Sequence, residues 1–415
     1  MRRLWILTFG LMGAGLLHAQ PIQYELGQAP HNYWQRTPTD RFAKLKADLA
    51  AGSVVLDASS EKAYLTSLLR ALGISPATQT LVFSTTSLQL SLISPRNPRA
   101  VYFNEDVYIG FIPGGKIEVV SVDPELGGIF YIFDIPRDGG TPRIERATRC
   151  MNCHAGEETG RVPGVLIKSV VPGPSGGSLE SFRQELMGHA VPLAERFGGW
   201  HVTGAGSFTN HWGNLIGRSS PQGLIKIPIE PGRQFSYARY LVPTSDLLAH
   251  LLHEHQAGFV NRTIEATYRT RTYLDADKGR LSAAHTADLD RLAQALTRYL
   301  LFADEVPLPP GGVVGDPVLK ADFLAGRRAV ASAGGASLKD FDLKTRLFKH
   351  RCSYMIHSAA FQGLPPEMKQ RVYRRVAEAL DTVKPAAEYA YLPATEKSAI
   401  RQILRGTLSD LPKGW

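Results

Sequence analysis

Short apolar runs separated by turn residues dominate the stretch from Thr80 to Phe133. Runs at Thr80–Ser84, Ala100–Phe103, Val107–Ile112, Ile117–Val122 and Gly128–Phe133 have the length and the β-branched or aromatic character of strands. Pro113, Gly114 and Gly115 separate one pair, and Asp123, Pro124 and Glu125 separate another. Successive runs are therefore expected to fold back on one another as an antiparallel meander. Asn104, Glu105 and Asp106 fall at such a break and read as a polar turn between strands rather than as an acid/base cluster. Ahead of the strands, the spacing predicts helices over Thr39–Ala51 and Ser60–Leu72, the second ended by Gly73.

Residues 155–235 are rich in Gly and Pro, which excludes long helices and predicts loops and short strands. From about Thr244 the periodicity becomes helical. Candidate helices run over Ser245–Thr272, Ser282–Asp304, Pro317–Ser332, Phe341–Phe361, Pro366–Thr382 and Glu396–Leu404. The expected fold is α+β, with a β-rich amino half over 21–145, a loop-rich segment over 146–235 and an all-helical carboxyl half over 236–415.

The chain of 415 residues, 44% hydrophobic and 20% charged, is long enough for two or three structural units around a real core. Its first residues supply Arg2 and Arg3, an apolar run from Leu4 to Leu17, and the small Ala19. This is the layout of a secretory signal over residues 1–19, cleaved after Ala19, and it implies export to the periplasm. No later stretch is apolar enough for a transmembrane segment. The formal charge of +9 falls to +7 when Arg2 and Arg3 leave with the signal, and this modest excess is spread over the whole chain. Nucleic acid is not an expected partner, and no Gly-rich segment matches a phosphate-binding loop.

An exported chain with only Cys150, Cys153 and Cys352 is not held together by a disulfide framework. Cys150, Cys153 and His154 instead form C-x-x-C-H, the attachment signature of a c-type haem. Two thiols at this spacing match the two vinyl groups of one porphyrin, and the next imidazole reaches the iron. The sequence thus predicts one covalently bound haem c, with Cys150 and Cys153 as attachment points and His154 as proximal ligand. A redox-active dithiol is the competing reading, but such motifs normally follow a buried strand in a βαβ unit, and here turn residues 136–142 come before. A zinc site needs further ligands at paired spacing that the chain does not offer.

The sixth iron ligand decides between an electron carrier and a site open to small molecules. In the helix from Ser245, His255 shares an apolar face with Leu248, Leu251, Leu252 and Phe259, while His253 is rotated about 200° away. Arg262, a heptad beyond His255, is a candidate partner for a haem propionate or for developing negative charge. His211 in the loop segment and Met355, inward at helical spacing with Phe348 and Cys352, are the other distal candidates. His189 and His201 are weaker ones, and Cys352 reads as a buried structural thiol.

Across nearly all of the mature chain the sequence resembles a group of exported bacterial single-haem cytochrome c domain proteins. The matching stretches are Leu81–Ser84 with Thr86 and Ser87, Pro98–Gly110, Ser121–Gly127, the haem pentapeptide, Gly198–Gly204, Glu254–Gln256 with Asn261, and Cys352–Tyr354. Members of the group tend to carry Tyr where this chain has His201, which argues against His201 as a ligand. The resemblance implies haem binding, and it implies that His255 and His211 sit in recurring motifs. Two function classes follow. One is electron transfer with a redox partner protein or a small-molecule donor or acceptor. The other is a haem-dependent oxidoreductase, such as a peroxidase, with a haem-based sensor as a third possibility.

Overall fold

The structure is a computed structural model and describes residues 22–136, 140, 142–181 and 186–415. The expected signal sequence lies outside the described residues, as does part of the turn over 136–142. Helices α1 (Arg41–Ala50) and α2 (Glu61–Leu72) form where the spacing predicts them. The Asp40 carboxylate accepts from the N–H groups of Phe42 and Ala43, Ser60 caps Ala63, and Gly73 closes α2 at φ 65°. These groups satisfy backbone donors and acceptors that helix ends leave open, each side-chain cap contributing about 1 kcal/mol.

Strands β1 (Thr80–Val82), β2 (Arg99–Phe103), β3 (Val107–Phe111), β4 (Ile117–Asp123) and β5 (Gly127–Phe133) pair antiparallel in chain order, as the expected meander does. β6 (Glu145–Arg146) extends the sheet beyond β5. Then come the four-residue helix α3 (Met151–His154) and the short strands β7 (Val170–Pro172), β8 (Ser178–Ser181), β9 (Trp200–His201), β10 (Leu215–Ser220) and β11 (Gly223–Pro228). β9 crosses back to pair with β1, giving the order β6-β5-β4-β3-β2-β1-β9, while β7–β8 and β10–β11 form separate ribbons. Among the described residues of 155–235 there is no α-helix, in keeping with their Gly and Pro content.

Strand register gives the sheet two chemically distinct faces. Tyr102, Ile109, Val119, Ile129 and Tyr131 point to one, where Phe42 and Leu45 of α1 and Leu65 and Leu68 of α2 complete a core. Val101, Phe103, Tyr108, Val122 and Trp200 point to the other and pack with α4 (Leu247–Ala276). Beyond α4 lie α5 (Ala283–Leu300), α6 (Pro317–Ala325), α7 (Ala359–Gln362), α8 (Pro366–Ala379) and α9 (Ala394–Thr407). The fold is α+β, with a β-rich amino half and a helical carboxyl half. No helix among the described residues is long and apolar enough to cross a membrane.

Two helical expectations change. Nearly every position of α4 from Leu247 to Thr270 is buried, so the helix has no solvent face to complement its apolar one. The helix expected over Phe341–Phe361 does not form. The Asp342 carboxylate captures the N–H groups of Lys344 and Thr345, Leu343 adopts φ 57°, and Phe341 and Phe348 meet across an isolated bridge with ring centroids 5.6 Å apart. A side chain that bonds nearby backbone offers the chain an alternative to helix, and here that alternative wins.

Candidate haem site

β6 brings the chain to the outer edge of the sheet, where a 3-10 turn over Thr148–Cys150 runs into α3. One helical turn places Cys150 and Cys153 on a common side. Met151 packs into the core under α1 and α2. His154 lies over the opposite face, its ring centroid 4.7 Å from that of Phe130. The pentapeptide thus straddles the sheet edge.

His154 is held in one tautomer. Its Nδ1 lies 2.9 Å from the Gly164 carbonyl oxygen, which only accepts, so Nδ1 carries the proton and Nε2 keeps its lone pair, with no hydrogen bond among the described residues. The Gly164 N–H returns a bond to the His154 carbonyl at 2.8 Å. Asn261 of α4 clamps the next residue, accepting from the Val165 N–H and donating to the Val165 carbonyl, both at 2.8 Å. Gly164 permits this approach, since a Cβ there would come within 2.4 Å of Asn261 Oδ1 and 2.9 Å of Thr159 Cβ. Burial lowers the His154 pKa, partly offset by the Gly164 bond, and keeps the ring neutral as metal ligation requires.

Both thiols are free, with Cys153 exposed and Cys150 half-buried. Burial pushes the Cys150 thiol up to about 11, helped by the Glu118 carboxylate and Cys153. A redox-active dithiol needs the opposite shift, and it belongs behind a central strand rather than behind a two-residue edge strand of an antiparallel sheet.

The sheet face beside His154 has an apolar floor of which Val120 and Ile132 are only partly buried. α4 crosses this face diagonally, from His250 beside Trp200 at 5.5 Å to Ile264 against Gly127. Val120 lies between Phe130 and Tyr108 in register yet is only partly buried, although β4 is flanked by strands on both sides. Ile132 and Glu118 on the same face are also partly exposed. Arg99 holds Glu118 at 2.7 Å, with Gln89 at 2.9 Å. The thiol pair, the single tautomer of His154 and this open apolar corner together fit a covalently attached haem.

The structure does not bring the other sequence candidates to this corner. His255 faces α5, stacked on Phe302 at 4.6 Å, with Nδ1 2.8 Å from His189 Nδ1 and Nε2 2.7 Å from Ser353 Oγ. Both ring nitrogens of this distal candidate are therefore engaged by protein partners. His211 packs on Phe197 at 5.7 Å and Phe208 at 5.1 Å. Met355 is fully buried in a 3-10 turn of the carboxyl-half core, with Cys352 buried nearby. The Arg262 guanidinium lies 4.4 Å from the ring centroid of Tyr299 on α5, with the Glu265 and Asp304 carboxylates as its electrostatic neighbours. His201 is buried on the far face of the sheet against Phe83 and Phe235.

Two residues near the corner escape the sequence reading. Arg99 was legible, since alternation along β2 and β4 puts Arg99 and Glu118 on the same face as Val101 and Val120. His253 points away from the leucine stripe of α4, a direction that faces the sheet. A comparison with known proteins finds no matching family model, no similar curated protein and no similar solved structure.

Proposed function

We propose that the chain is a periplasmic electron-transfer protein with one haem c, linked to Cys150 and Cys153 and ligated through His154 Nε2. The observation that carries this reading is the His154 imidazole, fixed by Gly164 at Nδ1 and bare at Nε2, immediately after two unbridged thiols. When bound, the haem supplies an iron that exchanges one electron. Asn261 and Gly164 orient the proximal ring from α4, so the ligand rests on a buried helix rather than on a mobile loop. Phe130, Val120 and Ile132 offer an apolar wall that excludes water from one side. The mature charge of +7 suits docking on an acidic redox partner.

Peroxidase chemistry would require a distal acid/base with a nearby cation. His255 and Arg262 would have to fill those roles, and both are engaged on the α5 side of α4, so electron transfer is the better supported reading. Chain made alongside haem-ligation machinery is expected to be red, to be reduced by dithionite and to be reoxidised by ferricyanide over repeated cycles without loss. Steady consumption of hydrogen peroxide by the reduced protein would favour the oxidoreductase instead.

A further inference from the structure

His253 shares a sheet face with His154. Its ring stacks on Phe103 at 4.7 Å and 16° and on Tyr108 at 5.6 Å and 28°, with the edge of Trp200 at 5.9 Å. Strand register connects the two histidines, since Phe103 opposes Tyr108, Tyr108 opposes Val120, and Val120 opposes Phe130 beneath His154. Tyr108 and Phe130 are therefore two strand spacings apart, about 10 Å. The residue between them, Val120, is partly exposed although β4 lies inside the sheet. The two imidazoles thus stand over ring neighbours on either side of Val120.

The second observation is an imidazole without a protein partner. His253 is 4% exposed, neither ring nitrogen makes a hydrogen bond among the described residues, and neither is among the fully buried unpartnered atoms, so both reach open space. Its neighbours on the same helix do find partners, with His250 Nε2 2.9 Å from the His201 carbonyl and His255 bonded at both nitrogens. Burial lowers the His253 pKa to about 3, with His250 and Arg99 adding to the effect, so the ring is neutral and keeps a lone pair. α4 also carries Asn261, about two turns further on, whose clamp on Val165 steadies the Gly164 carbonyl that fixes His154. One helix therefore positions both imidazoles, His253 directly and His154 through a backbone segment.

We infer that His253 is the second axial ligand, so that the haem iron is held between His154 and His253. This rests on the covalent haem proposed above. Its chemical consequence is a saturated iron suited to outer-sphere electron exchange and closed to peroxide and carbon monoxide.

The test begins with the matured wild-type chain. Ferric protein is expected to be low-spin, its near-infrared magnetic circular dichroism that of two imidazoles, and the ferrous form is expected not to bind carbon monoxide. His253→Ala should be high-spin and bind carbon monoxide, with added imidazole restoring the low-spin spectrum. His253→Met, which keeps the site filled, should instead show the methionine–iron charge-transfer band and a higher reduction potential. An unchanged low-spin spectrum in His253→Ala overturns the assignment, as does a wild-type iron that is high-spin or carries methionine. A spectral change caused by His211→Ala or His255→Ala but not by His253→Ala also overturns it. If the alanine variant does not fold, the wild-type dichroism and the methionine variant still decide. Wild-type protein lacking covalent haem would instead overturn the reading on which this inference rests.

Discussion

Alanine at both Cys150 and Cys153 is expected to leave a folded chain from which all haem is lost on denaturation. In the proposed haem each thioether would be an independent covalent link, so the single variants should retain stainable haem in reduced yield and only the double variant should lose it completely. The fold should survive because neither thiol builds a core. Cys153 is exposed and Cys150 half-buried, while the cores on the two sheet faces are made by other residues. Loss of two such side chains costs about 1 kcal/mol each at most. Haem staining after denaturing electrophoresis, with far-ultraviolet circular dichroism for the fold, measures both parts. Persistent staining in the double variant would place the attachment elsewhere, and the remaining cysteine, Cys352, is fully buried.

The second large effect is acid sensitivity. Burial lowers the pKa of His201 and His250 from 6.5 to about 3, and burial likewise holds His189 well below 6.5. Below pH 6.5 the unfolded chain binds these protons and the folded chain does not, so stability falls as pH falls. Glu254 and Glu305 act in the opposite sense, since burial raises each from 4.5 to about 7. Between pH 7 and 4.5 the folded chain gains protons there that the unfolded chain lacks, which offsets the histidines. Below pH 4.5 both states carry those carboxyl protons, and Glu254 and Glu305 no longer offset the histidines. Each histidine then removes about 1.4 kcal/mol per pH unit, about 4 kcal/mol for the three. Against a typical total of about 5–15 kcal/mol, that is enough to unfold the chain between pH 4.5 and 3. The melting temperature, followed by circular dichroism, should change gently from pH 7 to 4.5 and collapse below it. A flat profile down to pH 3 would show that these imidazoles are solvated.

What the sequence makes legible here is local. The runs from Thr80 to Phe133 alternate or are bracketed by turn residues, so their pairing could be read directly, and the cap residues of α1 and α2 announce those helices. The pentapeptide likewise writes its candidate chemistry in consecutive residues. β9 was not legible, since two residues carry no periodicity and only their pairing with β1 makes them a strand. Around Asp342, apolar spacing mimicked a helix while the carboxylate bonded its own backbone. The periodicity of α4 shows one apolar face where the fold buries two. A helix buried between a sheet and a second helix has two apolar faces, and periodicity alone does not say which of them His253 and His255 meet.

The most direct measurement is the mass of the protease-released peptide that contains residues 150–154, taken from wild-type chain matured with haem-ligation machinery. The expected peptide is heavier by one haem, with Cys150 and Cys153 both closed to alkylation. An unmodified peptide whose two thiols alkylate freely would contradict the covalent haem and everything built on it.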